Sequence, residues 1–311
     1  MKFRLIGAVL ALFALPVLAQ APARPLFETK KVAGTEDVYI YRHGNHQSMF
    51  IVTGQGVIAT DPIAYGRPQA AVTYIEEIRK VTNQPIKYLI YSHHHFDHIM
   101  GAKPFKDAGA TIIAHRRVNE RLAVLKDPNT PLADELVGDE GRVIRMGGKI
   151  LELSYVGANH SDSTLVFRLP QDRLIFVVDL LPVGTFPGLG MIDFHPLEAM
   201  ESYKRILAMD WTRMIPGHPG QPGDRLGTRK DVEDHVALQQ YASDMVKEQA
   251  RAGKCWNPAE AELQFEKYKD MPGYANGRAM VVRRYCGLWG DRKSTRLNSS
   301  HIQKSRMPSS A

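Results

Sequence analysis

Strand and helix patterns come twice along this chain in similar order, and this recurrence limits the fold more than any other feature. Short runs rich in β-branched and aromatic residues, such as VYIYRH from Val38 and GVIAT from Gly56, precede a helical spacing of apolar residues over 70–78. The strand pattern returns from Gly141, and a second group of helices begins near Leu197. Two β-rich halves, each followed by helices, predict an α/β fold in which two sheets pack face to face with helices on their outer faces.

Both ends of the chain differ in composition from the rest. Residues 1–19 carry two basic residues, then an apolar run that closes on small residues, a pattern typical of a cleaved secretory signal peptide. The apolar run is shorter than the roughly 20 residues of a membrane-spanning helix. Residues 291–311 lack apolar periodicity and resemble the translation of a sequencing-library adapter, which predicts a non-native tail. Residues 20–290 are predicted to form a single domain with a C-terminal helical extension, periplasmic or secreted and free of the membrane after signal cleavage.

These two ends also carry most of the net charge. The full chain has a formal charge of +7 at pH 7, of which the tail contributes four and the signal peptide two, which leaves +1 for residues 20–290. A nearly neutral domain lacks the basic surface that nucleic acid or an anionic membrane would require. We therefore expect a small molecule as the binding partner and no nucleic acid, while the oligomeric state stays open.

The chain has two cysteines, Cys255 and Cys286, both near its C-terminal end. An exported protein sits in an oxidising compartment, where such a pair could form a disulfide. The bond would close a loop of about 30 residues and contribute roughly 3 to 4 kcal/mol by the chain-entropy argument. Neither cysteine stands near another ligand-type residue at metal-site spacing, so we do not expect either of them to bind metal.

Four candidate metal ligands lie within six residues, where the buried strand pattern KYLIYS ends and a helix begins. In the segment SHHHFDHIMG they are His93, His95, Asp97 and His98. Residues two apart in an extended segment project to the same side, so the first two histidines are placed to bind one ion while the turn directs the other pair at a second. The alternative is a polar, solvated strand end with a chance run of histidines. The clustering favours a metal site.

The HxHxDH pattern of residues 93–98 resembles that of the metallo-β-lactamase superfamily, which includes β-lactamases, glyoxalase II thioesterases and acyl-homoserine lactonases. The resemblance extends from Asp61, at the end of GVIATD, to His218 in IPGHPG. It implies an αββα sandwich of two mixed β-sheets. It also implies the remaining ligands, with His160 completing the first site, Asp179 bridging both ions and His218 completing the second. The family's aspartate at the position of Asp61 supports the metal-binding loop by hydrogen bonding and does not bind metal.

The resemblance implies a metal-dependent hydrolase with three histidines at one ion and two histidines with one or two aspartates at the other. Nitrogen and oxygen ligands suit zinc, so we expect two Zn²⁺ ions, with iron or manganese also compatible. Two such ions produce a bridging hydroxide at neutral pH, which is the nucleophile, and Asp97 orients it and relays its proton. The implied substrates have a strained or activated acyl bond, as in a β-lactam, lactone, ester or thioester.

Two observations favour different substrates among these. Export favours β-lactams, because these antibiotics meet their targets in the cell envelope. However, family β-lactamases usually carry Cys or Ser at the bridging position, whereas Asp179 resembles the glyoxalase II and lactonase pattern. Lactonases tend to carry a Tyr shortly after that aspartate, but Leu180, Leu181 and Pro182 follow here. An iron-dependent oxidoreductase of the persulfide dioxygenase type and a non-catalytic binding protein are the alternatives on the same fold.

A Gly/Pro-rich loop from Leu180 to Pro196 directly follows a predicted strand, and long loops of this kind are often functional. Among the remaining histidines, His46 and His195 lie in segments that could line the cleft. His43, His94 and His115 carry no predicted role.

Overall fold

The computed structural model describes residues 24–188 and 192–290. The predicted signal peptide, residues 1–19, and the predicted non-native tail, residues 291–311, lie outside the described residues. Two mixed β-sheets pack face to face, and helices cover their outer faces. This arrangement confirms the predicted αββα sandwich.

The first sheet has seven strands that neighbour one another in chain order. They are β1 (Phe27–Lys31), β2 (Val38–His43), β3 (His46–Thr53), β4 (Gly56–Thr60), β5 (Ile86–Ile90), β6 (Thr111–His115) and β7 (Glu135–Val137). Strands β1 to β4 form an antiparallel meander, and β4 to β7 run parallel. The two edge strands, β1 and β7, lack the apolar pattern of the others, and the sequence analysis did not predict them.

The second sheet has five strands in the order β12-β11-β10-β9-β8. Their bounds are β8 (Arg142–Met146), β9 (Lys149–Tyr155), β10 (Leu165–Leu169), β11 (Leu174–Val177) and β12 (Arg213–Pro216). Strands β11 and β12 are parallel, and Val177 pairs with Pro216 at their carboxyl ends. The residues that follow these two strands therefore emerge side by side at one edge of the sandwich.

Helices flank both sheets. They are α1 (Ala70–Val81), α2 (Phe96–Ile99), α3 (Lys103–Asp107), α4 (Arg116–Leu125), α5 (Pro196–Ala208), α6 (Arg229–Arg251), α7 (Asn257–Glu262) and α8 (Tyr274–Trp289). The helix predicted to begin after the KYLIYS strand is split into α2 and α3, because Gly101 takes a left-handed φ of 87° between them. A Cβ on Gly101 would lie 2.4 Å from the Cβ of Ala64, so only glycine fits this break.

Three apolar clusters hold these layers together. The central cluster lies between the sheets and joins Ile51 of the first sheet to Phe167 and Phe176 of the second, all fully buried. A second cluster packs helix α1, through Tyr74 and its neighbours, on the outer face of the first sheet. The third packs α5, α6 and α8 on the outer face of the second sheet, where Tyr203 is fully buried. Continuous burial of this kind supplies most of the stabilisation of such a domain.

The C-terminal helices form a layer of their own behind the second sheet. Cys255, just before α7, and Cys286, in α8, form a disulfide with their Cα atoms 5.5 Å apart. Helix α8 also packs along α6, where the Tyr285 hydroxyl donates a hydrogen bond to the Gln239 side chain at 2.8 Å. Among the described helices, none combines the length and the apolar character needed to cross a membrane.

Candidate metal centre

The predicted ligands lie where strands of both sheets end at one edge of the sandwich. His93, His95, Asp97 and His98 follow β5, His160 lies between β9 and β10, Asp179 follows β11, and His218 follows β12. Parallel pairing of β11 with β12 sets the last two beside each other. The structure thus brings all seven predicted ligands together from four separate stretches of chain.

The first cluster contains His93, His95, His160 and Asp179, whose ligand atoms all lie within 4.8 Å of one another. Nε2 of His160 is 2.8 Å from Nδ1 of His95. The carboxylate Oδ2 of Asp179 lies 3.5 Å from Nε2 of His160 and 3.7 Å from Nε2 of His93. Three imidazoles and one carboxylate oxygen therefore surround one small volume.

The second cluster contains His46, Asp97, His98 and His218, also with their ligand atoms within 4.8 Å of one another. Oδ2 of Asp97 lies 3.2 Å from Nε2 of His46 and 3.6 Å from Nε2 of His98. The sequence analysis expected His46 only near the cleft, whereas the structure places its imidazole inside the cluster. Its position at the start of β3 brings it there.

Asp179 lies between the two clusters. Its Oδ2 is 3.2 Å from Nε2 of His98, and its Oδ1 is 2.9 Å from Nε2 of His218, in addition to its contacts with the first cluster. Its backbone has a φ of 61°, in the left-handed region that residues other than glycine rarely adopt. Such strain persists where the surroundings hold a side chain in a functional position. If each cluster held an ion, Asp179 would be the residue shared between them.

An unpaired buried nitrogen indicates that a cation fits this centre. Nε2 of His93 is buried and has no hydrogen-bond partner. Burying a polar atom without a partner is unfavourable, and a metal ion bound by the first cluster would remove this penalty. The donors are imidazole nitrogens and carboxylate oxygens without a thiolate, a set that zinc, iron and manganese all accept.

The protonation states of His93 and His160, in the first cluster, also suit metal binding. Burial lowers the pKa of His93 well below its ordinary value and that of His160 to about 4, so both rings are neutral at pH 7, as ligands must be. Burial would raise the pKa of Asp179, but neighbouring His98 and His218 hold it well below its usual range. Burial likewise opposes a charge on His98, yet Asp179 dominates and raises its pKa to about 9. The negative charge that retains this proton would also attract a cation.

A model of the metallo-beta-lactamase superfamily matches residues 41–233, which is more than half of the chain. The chain belongs to this superfamily. Solved structures with the same fold include a metallo-beta-lactamase from Pontibacter korlensis, with a TM-score of 0.58 and 19% identity over 69% of this chain and 99% of that one. The structure of VMB-1 gives a TM-score of 0.61 with 18% identity, over 71% of this chain and 100% of that one.

Curated relatives in the superfamily are distant. The alpha subunit of 2,4-dinitroanisole O-demethylase from Nocardioides sp. (strain JS1661) is 26% identical over 62% of this chain and 58% of its own length. Metallo-beta-lactamase type 2 from Bacillus cereus is 28% identical over 49% of this chain and 58% of its own length. The chain thus spans less than two thirds of each of these relatives, and they differ from one another in the reaction that their names describe.

Asp61 lies outside both clusters but next to residues that belong to them or adjoin them. Its Oδ1 accepts a hydrogen bond from the backbone N–H of Ser92 at 2.8 Å, and the Ser92 hydroxyl lies 2.9 Å from Nδ1 of His93. Its Oδ2 is 3.7 Å from Nδ1 of His98. The carboxylate belongs to neither cluster and faces the ring nitrogen of His98 that points away from the second cluster, and its supporting role stays a prediction. Burial raises the pKa of Asp61 to about 6.

Asp193 is a residue of the site that was not predicted from the sequence. Its Oδ1 is 2.7 Å from Nε2 of His95, and its Oδ2 is 3.2 Å from Nε2 of His94. Nδ1 of His95 faces the first cluster, so this ligand is held on both of its ring nitrogens. The only sequence signal was the Gly/Pro-rich loop that contains Asp193, and no pattern distinguished this residue within it. His195, at the end of the same loop, is not among the described residues that line the cavity.

A cavity of about 840 Å³ opens over both clusters. Its floor includes the side chains of His95, Asp97, Asp179 and His218. Its walls include residues 181–183 and 185–188, in the loop after β11, and part of α8. The volume lies within the range of small-molecule sites, so a substrate can reach the metal ligands directly.

Proposed function

We propose that this protein is an exported, dinuclear zinc hydrolase that cleaves an activated acyl bond in a β-lactam, lactone, ester or thioester. The observation that carries the proposal is the position of Asp179, between the histidines of two clusters and beneath an open cavity. The signal-peptide pattern of residues 1–19 and the disulfide support export to the periplasm or beyond, because disulfides persist in oxidising compartments.

Each cluster would hold one ion. His93, His95 and His160 would bind the first, and Asp97, His98 and His218 the second, with Asp179 shared between them. When bound, two such ions lower the pKa of a water molecule to about 7 and polarise a substrate carbonyl. The His46 imidazole stands beside the second set as a further nitrogen donor.

Asp97 is the residue placed to handle the proton of the attacking water. Its side chain is 37% exposed and lines the cavity. Burial would raise its pKa, but the hydrogen bond with His46 and the charges of His98 and His46 together outweigh this and the pKa falls to about 2, so the carboxylate is ionised at neutral pH. Arg67 donates a hydrogen bond to the backbone carbonyl of Asp97 at 2.8 Å and steadies the turn. An ionised carboxylate at this point can orient a water molecule and accept its proton.

A hydrolysis screen tests the proposal. The zinc-loaded protein is assayed on nitrocefin, a lactone, an aryl ester and a thioester, and on 2,4-dinitroanisole because two relatives are named for it. We expect turnover of at least one acyl substrate.

In His95→Ala and Asp179→Ala, bound metal should decrease and activity should fall at least about 100-fold, since both changes remove ligands. The matched control His195→Ala lies outside both clusters and should retain metal and activity. Unchanged metal and activity in both ligand variants would refute the proposal.

An iron-dependent oxidoreductase of the persulfide dioxygenase type is the second candidate, because the same nitrogen and oxygen donors accept iron. It predicts iron in the purified protein and oxygen consumption with a persulfide. Acyl hydrolysis by the zinc form without oxygen uptake by the iron form would exclude it.

A further inference from the structure

The cavity wall is largely apolar. It includes Tyr65, Phe96, Leu181, Val183, Phe186 and Ile192. Among the described residues that line the cavity, none is a lysine or an arginine, so the wall offers no positive side chain to an anionic group. The negative carboxylates and the imidazoles lie together on the floor.

The C-terminal extension also borders the cavity and holds the loop that carries much of this wall. The superfamily match ends at residue 233, before most of α6 and all of α7 and α8, yet Gly273, Asn276 and Gly277 line the cavity. The backbone N–H of Phe186 donates a hydrogen bond to the carbonyl of Pro272 at 2.7 Å. Helix α8 and the segment before it thus hold the loop that follows β11.

Two glycines allow this loop and α8 to touch through their backbones. A Cβ on Gly277 would lie 2.2 Å from the carbonyl oxygen of Pro187, and a Cβ on Gly188 would lie 2.4 Å from Cα of Gly277. Approach this close excludes any side chain at either position. The Phe186 ring also packs edge-on against Tyr274, with 5.0 Å between ring centroids. Because these contacts and the disulfide hold α8, the apolar wall is already formed before a ligand binds.

We propose that this site takes an uncharged substrate whose acyl group carries an apolar chain or aryl ring onto this wall, and that α8 is its recognition element. The inference rests on the hydrolase function proposed above and names its substrate class. A carboxylate at the far end of the acyl group would lose its hydration against apolar side chains without gaining a cationic partner. A methyl group in the same place would gain from burial. Discrimination therefore acts on the end of the substrate remote from the scissile bond.

A matched pair of esters tests this discrimination. The p-nitrophenyl ester of hexanoic acid and the mono-p-nitrophenyl ester of adipic acid have the same chain, which ends in a methyl group in the first and a carboxylate in the second. With the zinc-loaded protein we expect kcat/KM at least about tenfold higher for the hexanoate, and rising from acetate through butyrate to hexanoate. Equal values, or a preference for the adipate ester, would overturn the inference.

A charge placed on α8 tests its role as the recognition element. Asn276 is exposed and lines the cavity, whereas its neighbour Ala275 is exposed but does not line it. In Asn276→Lys the kcat/KM ratio of hexanoate to adipate ester should fall at least about tenfold, mainly through a lower KM for the anion. The control Ala275→Lys adds the same charge one residue away and should leave the ratio within twofold. The same ratio in both variants would contradict a recognition role for α8.

Ligand binding separates failure of this inference from failure of the hydrolase function. Hexanophenone and 6-oxo-6-phenylhexanoic acid are uncleavable ketones that differ in the same terminal group, and their binding is measured by calorimetry with and without zinc. We expect hexanophenone to bind the zinc-free protein at least about tenfold more tightly than the keto acid. That result without hydrolysis of any ester would retain the apolar site and remove the hydrolase function. Hydrolysis of an ester together with equal or tighter binding of the keto acid to the zinc-free protein would retain the hydrolase function and remove the apolar site.

Discussion

The carboxylate of Asp193 holds His95 by the ring nitrogen that faces away from the first cluster, at 2.7 Å. In Asp193→Asn the amide cannot supply the negative charge that orients the ring and strengthens it as a ligand. We expect metal affinity to fall by about tenfold to a hundredfold. The measurement is a titration of zinc against a chelator of known affinity.

The control is Asp210→Asn, which makes the same substitution at another aspartate. Asp210 is exposed and pairs with Arg173 at 2.8 Å on the surface, away from both clusters. The zinc affinity of the Asp210→Asn variant should equal that of the unaltered protein. If Asp193→Asn binds zinc as tightly as this control, Asp193 has no part in holding the ligand.

His235 is a buried histidine outside the two metal clusters, with Nε2 3.2 Å from both the Tyr203 hydroxyl and the Gln239 amide nitrogen. Burial lowers its pKa to about 4, against an ordinary value of 6.5. Between these two pH values the unfolded state binds more protons than the folded state. The free energy of unfolding contributed by this residue therefore falls as the pH drops from 6.5 to 4, by up to about 3 kcal/mol.

Urea unfolding of the metal-free protein at a series of pH values measures this effect. His235→Gln cannot bind the proton, so its free energy of unfolding should depend less on pH in the same window than that of the unaltered protein. The quantity compared is the change with pH, which does not depend on any constant effect of the substitution. Parallel curves for the two proteins would show that His235 contributes nothing to acid sensitivity.

At the scale of the elements, the disulfide joins α8 to the segment just before α7 and closes a loop of 31 residues. Loop-closure entropy predicts that Cys255→Ser combined with Cys286→Ser lowers the free energy of unfolding by about 3 to 4 kcal/mol. Chemical denaturation of the double variant against the oxidised protein measures the difference. A loss below about 1 kcal/mol would mean that the bond adds little to the stability of this layer.

Elements with a clear apolar pattern could be predicted from the sequence, and those without one could not. Strands such as β2 and β4 carry β-branched and aromatic residues at most positions, which is why the pattern identified them. The edge strands β1 and β7 read FETKK and ELV, and pairing with a neighbour rather than residue preference places them in the sheet. The break at Gly101 was also missed, since it depends on contact with Ala64, 37 positions earlier in the chain.

At the scale of the whole molecule, the convergence of the seven candidate ligands was predictable because the HxHxDH motif is local and the others occupy strand ends that the superfamily pattern identifies. His46 and Asp193 were not assigned to the centre, because their partners lie far along the chain. The separation is 51 residues from His46 to Asp97 and 98 residues from Asp193 to His95. Contacts over such distances follow from the packing of the two sheets and carry no local sequence signal.

The apolar wall of the cavity also arises only at this scale. The sequence analysis predicted the C-terminal extension as helical but gave it no function. Its contribution depends on the Phe186 to Pro272 hydrogen bond and on the contact between Gly188 and Gly277, which join distant segments. The region outside the superfamily match is where we expect the substrate preference of this protein to be determined.

The central claim is that side chains from both sheets converge to hold a pair of metal ions, and anomalous scattering from crystals of the zinc-loaded protein tests it most directly. Data collected at the zinc edge should show two peaks roughly 3.5 to 4 Å apart, the spacing of two-metal hydrolytic sites. One peak should lie among His93, His95 and His160, the other beside His98 and His218, with Asp179 between them. An empty centre, or a zinc peak only between His94 and Asp193, would contradict the account.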